Sequence, residues 1–82
     1  MEIKKIVRIT HRRVGIETFG FDLEDSVGIS YSLEKCQIVP TAPDKICYSG
    51  VVIIENDEGV TEKRALLWVE ANGNGTIVYN LD

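Results

Sequence analysis

One histidine, two cysteines and two prolines leave this 82-residue chain short of the usual raw material of catalysis and metal binding. Any serine–histidine or cysteine–histidine pair must use His11, which lies between Thr10 and Arg12-Arg13 in a stretch expected to form a polar turn. Cys36 and Cys47 lack the Cys-x-x-Cys spacing of structural zinc sites, and His11 is distant from both. Gly73-Asn74-Gly75 leads into an expected strand instead of a helix, so it is no phosphate cradle. Gly28-Ile29-Ser30-Tyr31-Ser32 lacks the second glycine of a nucleophile elbow. Carboxylates adjoin at Glu24/Asp25 and Asp57/Glu58, but in expected turns, not in the apolar pocket that would raise one pKa for acid–base work. The chain reads as a non-enzyme with no metal and no cofactor.

Long apolar runs are missing as well. Nothing approaches the roughly 20 residues that span a bilayer. Met1-Glu2-Ile3-Lys4-Lys5 has neither the apolar core nor the small-residue cleavage site of a secretory signal. A cytoplasmic location is expected, with Cys36 and Cys47 as free thiols. In an oxidising compartment the two could instead bridge the loop holding Pro40 and Pro43, a link worth about 3 kcal/mol.

What the chain does have is a strand pattern. Val51-Val52-Ile53-Ile54, Ala65-Leu66-Leu67-Trp68-Val69 and Thr76-Ile77-Val78-Tyr79 are β-branched and aromatic, and Asn56-Asp57-Glu58-Gly59 and Asn72-Gly73-Asn74-Gly75 separate them. Such runs favour the pleated backbone, and Asn, Asp and Gly supply the positive φ of tight turns. Upstream, Glu2 to Thr10 reads as a strand and Thr10 to Arg13 as a turn. Val14 to Phe21 reads as a second strand, and Asp22 to Ser26 as an acidic turn. A third strand covers Val27 to Ser32, with one helical turn at Leu33 to Cys36, a short extended stretch from Gln37, and a loop around the prolines. One all-β domain over residues 1–82 follows: a small antiparallel barrel or sandwich of six to seven short strands with a C-terminal three-stranded meander. Scaling at 9.2 kDa gives about 5,000 Å² of folded surface against roughly 13,000 Å² unfolded.

Leu66 and Trp68 oppose Ala65, Leu67 and Val69 on their strand, and Val78 opposes Ile77 and Tyr79. Strands apolar on both faces are covered on both, so Leu66, Trp68 and Val78 form a candidate homodimer face. The alternative is a monomer in which the Leu33-to-Ile46 segment caps that face.

Charge is unevenly spread. Lys4, Lys5, Arg8, Arg12 and Arg13 against Glu2 give residues 1–13 a balance of +4, leaving −8 on residues 14–82 and −4 in all. The basic arm can contact the chain's own acidic face, pair with another copy or bind a polyanion, and the plain alternative is a solvated edge strand. Thr18-Phe19-Gly20-Phe21 holds the Phe-Gly-Phe centre of the strand on which RRM and cold-shock-type sheets stack bases, and Ser26 to Tyr31 resembles the second aromatic strand of cold-shock domains. The resemblance implies an OB-like single-stranded nucleic-acid binder using Phe19, Phe21, Tyr31 and the basic arm. The chain departs from that family where Glu17-Thr18 replaces Lys-Gly and where Gly28-Ile29-Ser30 replaces Phe-Val-His.

The residues read by themselves make Phe19 and Phe21 core. They point to a small acidic binding domain whose Glu24, Asp25, Asp57 and Glu58 contact a basic surface on another protein. One concrete version is an inhibitor or adaptor, of the kind phages and mobile elements encode, that occludes a nucleic-acid-binding factor. A further alternative is sequestration of a small molecule in a cavity lined by Trp68 and Tyr79.

Overall fold

The computed structural model describes residues 1–16 and 18–81. Within them six antiparallel strands follow in order: β1 (Glu2–Val14), β2 (Phe19–Asp25), β3 (Ser30–Val39), β4 (Ile46–Asn56), β5 (Gly59–Val69) and β6 (Asn74–Asn80). Each strand pairs with the next and β6 returns to β1, which closes an up-and-down barrel. The backbone of Leu81 donates to the carbonyl of Met1 at 3.0 Å, so both ends of the chain sit at the same seam. Among the described residues there is no helix, and so none long and apolar enough to cross a membrane.

Period-two alternation decides what faces inward. Val7, Phe21, Leu23, Tyr31, Leu33, Val52, Ala65, Leu67, Ile77 and Tyr79 form one buried cluster. Burial of each large aliphatic member contributes about 1.5–3 kcal/mol. Phe19, Phe21 and Tyr48 gather near one mouth of the barrel, with ring centroids 5.1–5.2 Å apart. A barrel of this size has an interior that side chains fill.

The C-terminal meander forms where the sequence predicts it. Asn56 and Gly59 close the β4–β5 hairpin, with Gly59 at φ 124°. Upstream the boundaries differ from expectation. Thr10 to Arg13 is strand, not turn: β1 runs on to Val14 and absorbs the extra residue in a bulge between Ile9 and His11. The chain leaves the ladder after Val14 and rejoins it at Phe19, the Gly15 amide donating to the Thr18 carbonyl at 2.7 Å, so the expected Val14-to-Phe21 strand is broken. Glu17, part of the comparison with cold-shock domains, lies outside the described residues.

Asp22 to Asp25 belongs to β2, because Phe21, Leu23 and Asp25 face inward together and draw the acidic residues between them into the ladder. The turn is Ser26 to Ile29, with Gly28 at φ 88°, so β3 starts at Ser30 and not at Val27. Leu33 to Cys36 is no helical turn. It is a bulged stretch of β3 in which Lys35 takes φ 56°, and only residues 40–45 are left to loop, too few to cap an outer face.

Candidate functional site

The cations of β1 are drawn into the barrel wall. Lys5 faces inward, and its Nζ donates to the Tyr31 hydroxyl at 2.8 Å, which donates in turn to Asp25 Oδ2 at 2.8 Å. Asp25 Oδ1 accepts the backbone amides of Val27 and Ile29 at 3.0 and 2.9 Å, an Asx-type closure of the β2–β3 turn. Burial pushes the Asp25 carboxyl up, but the Tyr31 hydroxyl, both amides and Lys5 outweigh it, and its pKa ends below the ordinary value. Asp25, expected as a surface contact, is therefore a buried structural acid.

Arg8 reaches Glu24 at 2.9 Å on the outer face. Arg13 donates to Glu34 Oε1 at 2.8 Å and Ser32 Oγ at 2.9 Å, and its Nε lies 3.2 Å from Asp22 Oδ1. The Glu34 carboxyl is held low by Arg13 and by the Ser32 hydroxyl. Arg12 lies over the Phe19 ring, 4.9 Å from its centroid. Of the five expected polyanion contacts, Lys5, Arg8 and Arg13 are bonded to their own barrel, and Lys4 stays exposed on the outer face. Phe21 and Tyr31 point into the core, and Phe19 packs partly against it. Trp68 and Tyr79 point to opposite sides of the wall, Trp68 outward and Tyr79 inward, so they do not line one cavity.

His11 is exposed at the bulge. Cys36 and Cys47 are free thiols, and burial pushes the Cys36 thiol up to about 11. Among the described residues no group of three His, Cys, Asp or Glu side chains is placed to hold a metal ion.

Two exterior features remain. The first is the β4–β5 hairpin. Ladder pairing of β3 to β4 reaches Ile53, and pairing of β6 to β5 begins at Ala65, so the hairpin tip is only two strands wide. The molecule measures 39 × 27 × 24 Å. Exposed Glu55, Asp57, Glu58 and Glu62 sit on this projection. Up-and-down order also places the β2–β3 connection near Glu24 at the same end. Glu55 and Glu62 were not singled out in the sequence, although strand alternation around the turn would have put both on its outer face.

The second is a groove of about 700 Å³ on the outside of the sheet, running from β3 across β4, β5 and β6 to Glu2 of β1. Register builds it in rows. Lys4, Val78, Leu66, Ser49 and Gln37 form one, flanked by the pair Glu2–Asn80 at one end and by Arg64, Val51 and Glu34 at the other. On the other side run Ile6, Thr76, Trp68, Cys47 and Val39. Of the expected dimer face, Leu66 and Val78 line this groove, while Trp68 lies in the adjoining row beside Asp44, Lys45 and Ile46. No family model, curated protein or solved structure matches the chain.

Proposed function

We propose that this protein is a non-enzymatic binding domain that uses the projecting β4–β5 hairpin as an acidic finger against a basic surface on another protein. The observation that supports the reading is the placement of four exposed carboxylates, Glu55, Asp57, Glu58 and Glu62, on a two-stranded tip beyond the closed part of the barrel. Lys63 and Arg64 follow Glu62 on β5, whereas Lys5, Arg8 and Arg13 of β1 are held by Asp25, Glu24, Asp22 and Glu34. A finger of this shape and sign fits a groove built to hold phosphates, where complementary potential both speeds encounter and fixes register. Occluding such a groove makes the domain an inhibitor or adaptor of a nucleic-acid-binding protein, acting in the cytoplasm where both thiols stay reduced.

Neutralisation tests this. The variant carrying Glu55→Gln, Asp57→Asn, Glu58→Gln and Glu62→Gln changes only exposed positions, so it keeps the barrel. Immobilised wild-type protein is expected to retain basic proteins from host extract at about 100 mM salt and to release them near 1 M, where screening acts within about 3 Å. The variant is expected to lose most of that capture. An identical captured set from both proteins would overturn the reading.

A further inference from the structure

We infer that the acidic hairpin takes its partner by strand addition, in which an extended peptide segment pairs with the open backbone edge of β5 at Val60 and Glu62. The segment carries an apolar residue and a cation at alternate positions. The inference rests on the reading above and names how that contact is made.

The edge follows from the ladders. β5 pairs with β4 along its whole length but with β6 only from Ala65, so Gly59 to Arg64 is paired on one side alone. The two-residue loop Asp57-Glu58 makes Asn56–Gly59 the closing hydrogen-bonded pair, and bonded and non-bonded pairs alternate from there. Thr61 and Lys63 therefore direct their backbone groups to β4, whereas Val60 and Glu62 turn theirs away from it. Among the described residues neither Val60 nor Glu62 is bonded to another element. No register shift interrupts the hairpin and no proline stands in it, so two devices that blunt sheet edges are missing. Charge is the device that remains, and charge selects.

Val60, 62 % exposed, and Glu62 share the outer face of β5, with Glu55 opposite Val60 across the hairpin. A strand laid along the edge sets its alternate residues about 4.5–5.5 Å from Val60 and Glu62. An apolar pair and an opposite-charge pair stabilise such a ladder, and a like charge weakens it. Arg64 lies beyond, next to the start of the β6 ladder, so a segment ending opposite Glu62 need not meet it. Lys63, by alternation, faces the other side of the hairpin. Thr10 to Val14 of β1 is also paired on one side only, but it follows a bulge and carries His11, Arg12 and Arg13, which disfavour a cationic segment.

The probe is an acetylated, amidated octapeptide, Thr-Val-Thr-Lys-Thr-Val-Thr-Lys. Its twin is N-methylated at the valines and lysines, which keeps the charges and removes the donors that would meet β5. Amide exchange at Val60 and Glu62, followed by NMR, is expected to slow at least about threefold at about 5 mM peptide and to be unchanged by the twin. Val60→Pro keeps all four carboxylates and replaces an amide that faces off the hairpin, where proline is tolerated. It is expected to lose the protection at Glu62. Slowing by both peptides equally, or by neither, overturns strand addition. Slowing that follows protein concentration without peptide assigns the edge to a second copy and overturns it too. If Val60→Pro fails to fold, exchange in the wild-type protein still decides. The acidic-finger reading falls separately, when the neutralised variant captures the same basic proteins as the wild type.

Discussion

Asp25 and Lys35 show how far a single residue departs from its sequence-level expectation. Asp25 sits in the run Asp-Ser-Val-Gly, which carries a turn signal, yet the acid closes its turn from inside the barrel instead of facing water. The sequence could not reveal that Tyr31 and Lys5, six and twenty residues away, would meet it. Lys35 takes φ 56°, a conformation that costs a side-chain-bearing residue about 1–2 kcal/mol. Glycine there removes the strain but adds freedom to the unfolded chain, costing about 0.5–1 kcal/mol. Lys35→Gly is therefore expected to raise stability by about 0.5 kcal/mol, read as a higher urea midpoint at unchanged slope. A lower midpoint would mean that Lys35 makes contacts outweighing its backbone strain.

At the level of elements, β1 was half legible. Its apolar positions, Ile3, Val7 and Ile9, announce a strand, but the cluster of cations from Arg8 to Arg13 reads locally as a solvated turn. Those cations extend the strand because β2 and β3 present Asp22, Glu24, Glu34 and Ser32 to them. That is a tertiary override of local propensity. The β3 bulge depends on a similar long-range fit. A Cβ built on Gly50 would lie 2.7 Å from the Glu34 carbonyl and 3.3 Å from Cys36 Sγ, so the small residue on β4 lets the bulged strand approach. Gly50→Ala is expected to destabilise the protein by about 1–3 kcal/mol through this overpacking, measured by chemical unfolding. A change within experimental error would show that β3 yields freely.

Across the whole molecule, paired ionisable groups set a stability plateau. Asp25 and Glu34 have pKa values below their ordinary 3.8 and 4.5, so their contribution is full above those values and is lost as pH falls through the lower folded ones. Lys5 is raised by its bond to Tyr31, and Tyr31 and Cys36 are raised chiefly by burial. Each is bound more tightly to its proton in the folded state. Stability therefore falls as pH climbs past their ordinary values of 9.0 for the thiol, 10.0 for the phenol and 10.5 for the amine. The urea midpoint is expected to be flat between about pH 5 and 9 and to fall on both sides, with the acid limb reduced in Asp25→Asn. A midpoint unchanged down to about pH 3 would show that neither carboxylate is stabilised as an anion.

Composition and period-two alternation were enough to determine an all-β domain, its hairpin turns and the two-sided apolar strands, because each depends on residues within a few positions of one another. Closure into a barrel, the burial of Asp25, the capture of the β1 cations and the rows that make the outer groove were decided only in three dimensions. They require partners on different strands, and it is the register between strands that brings those partners together.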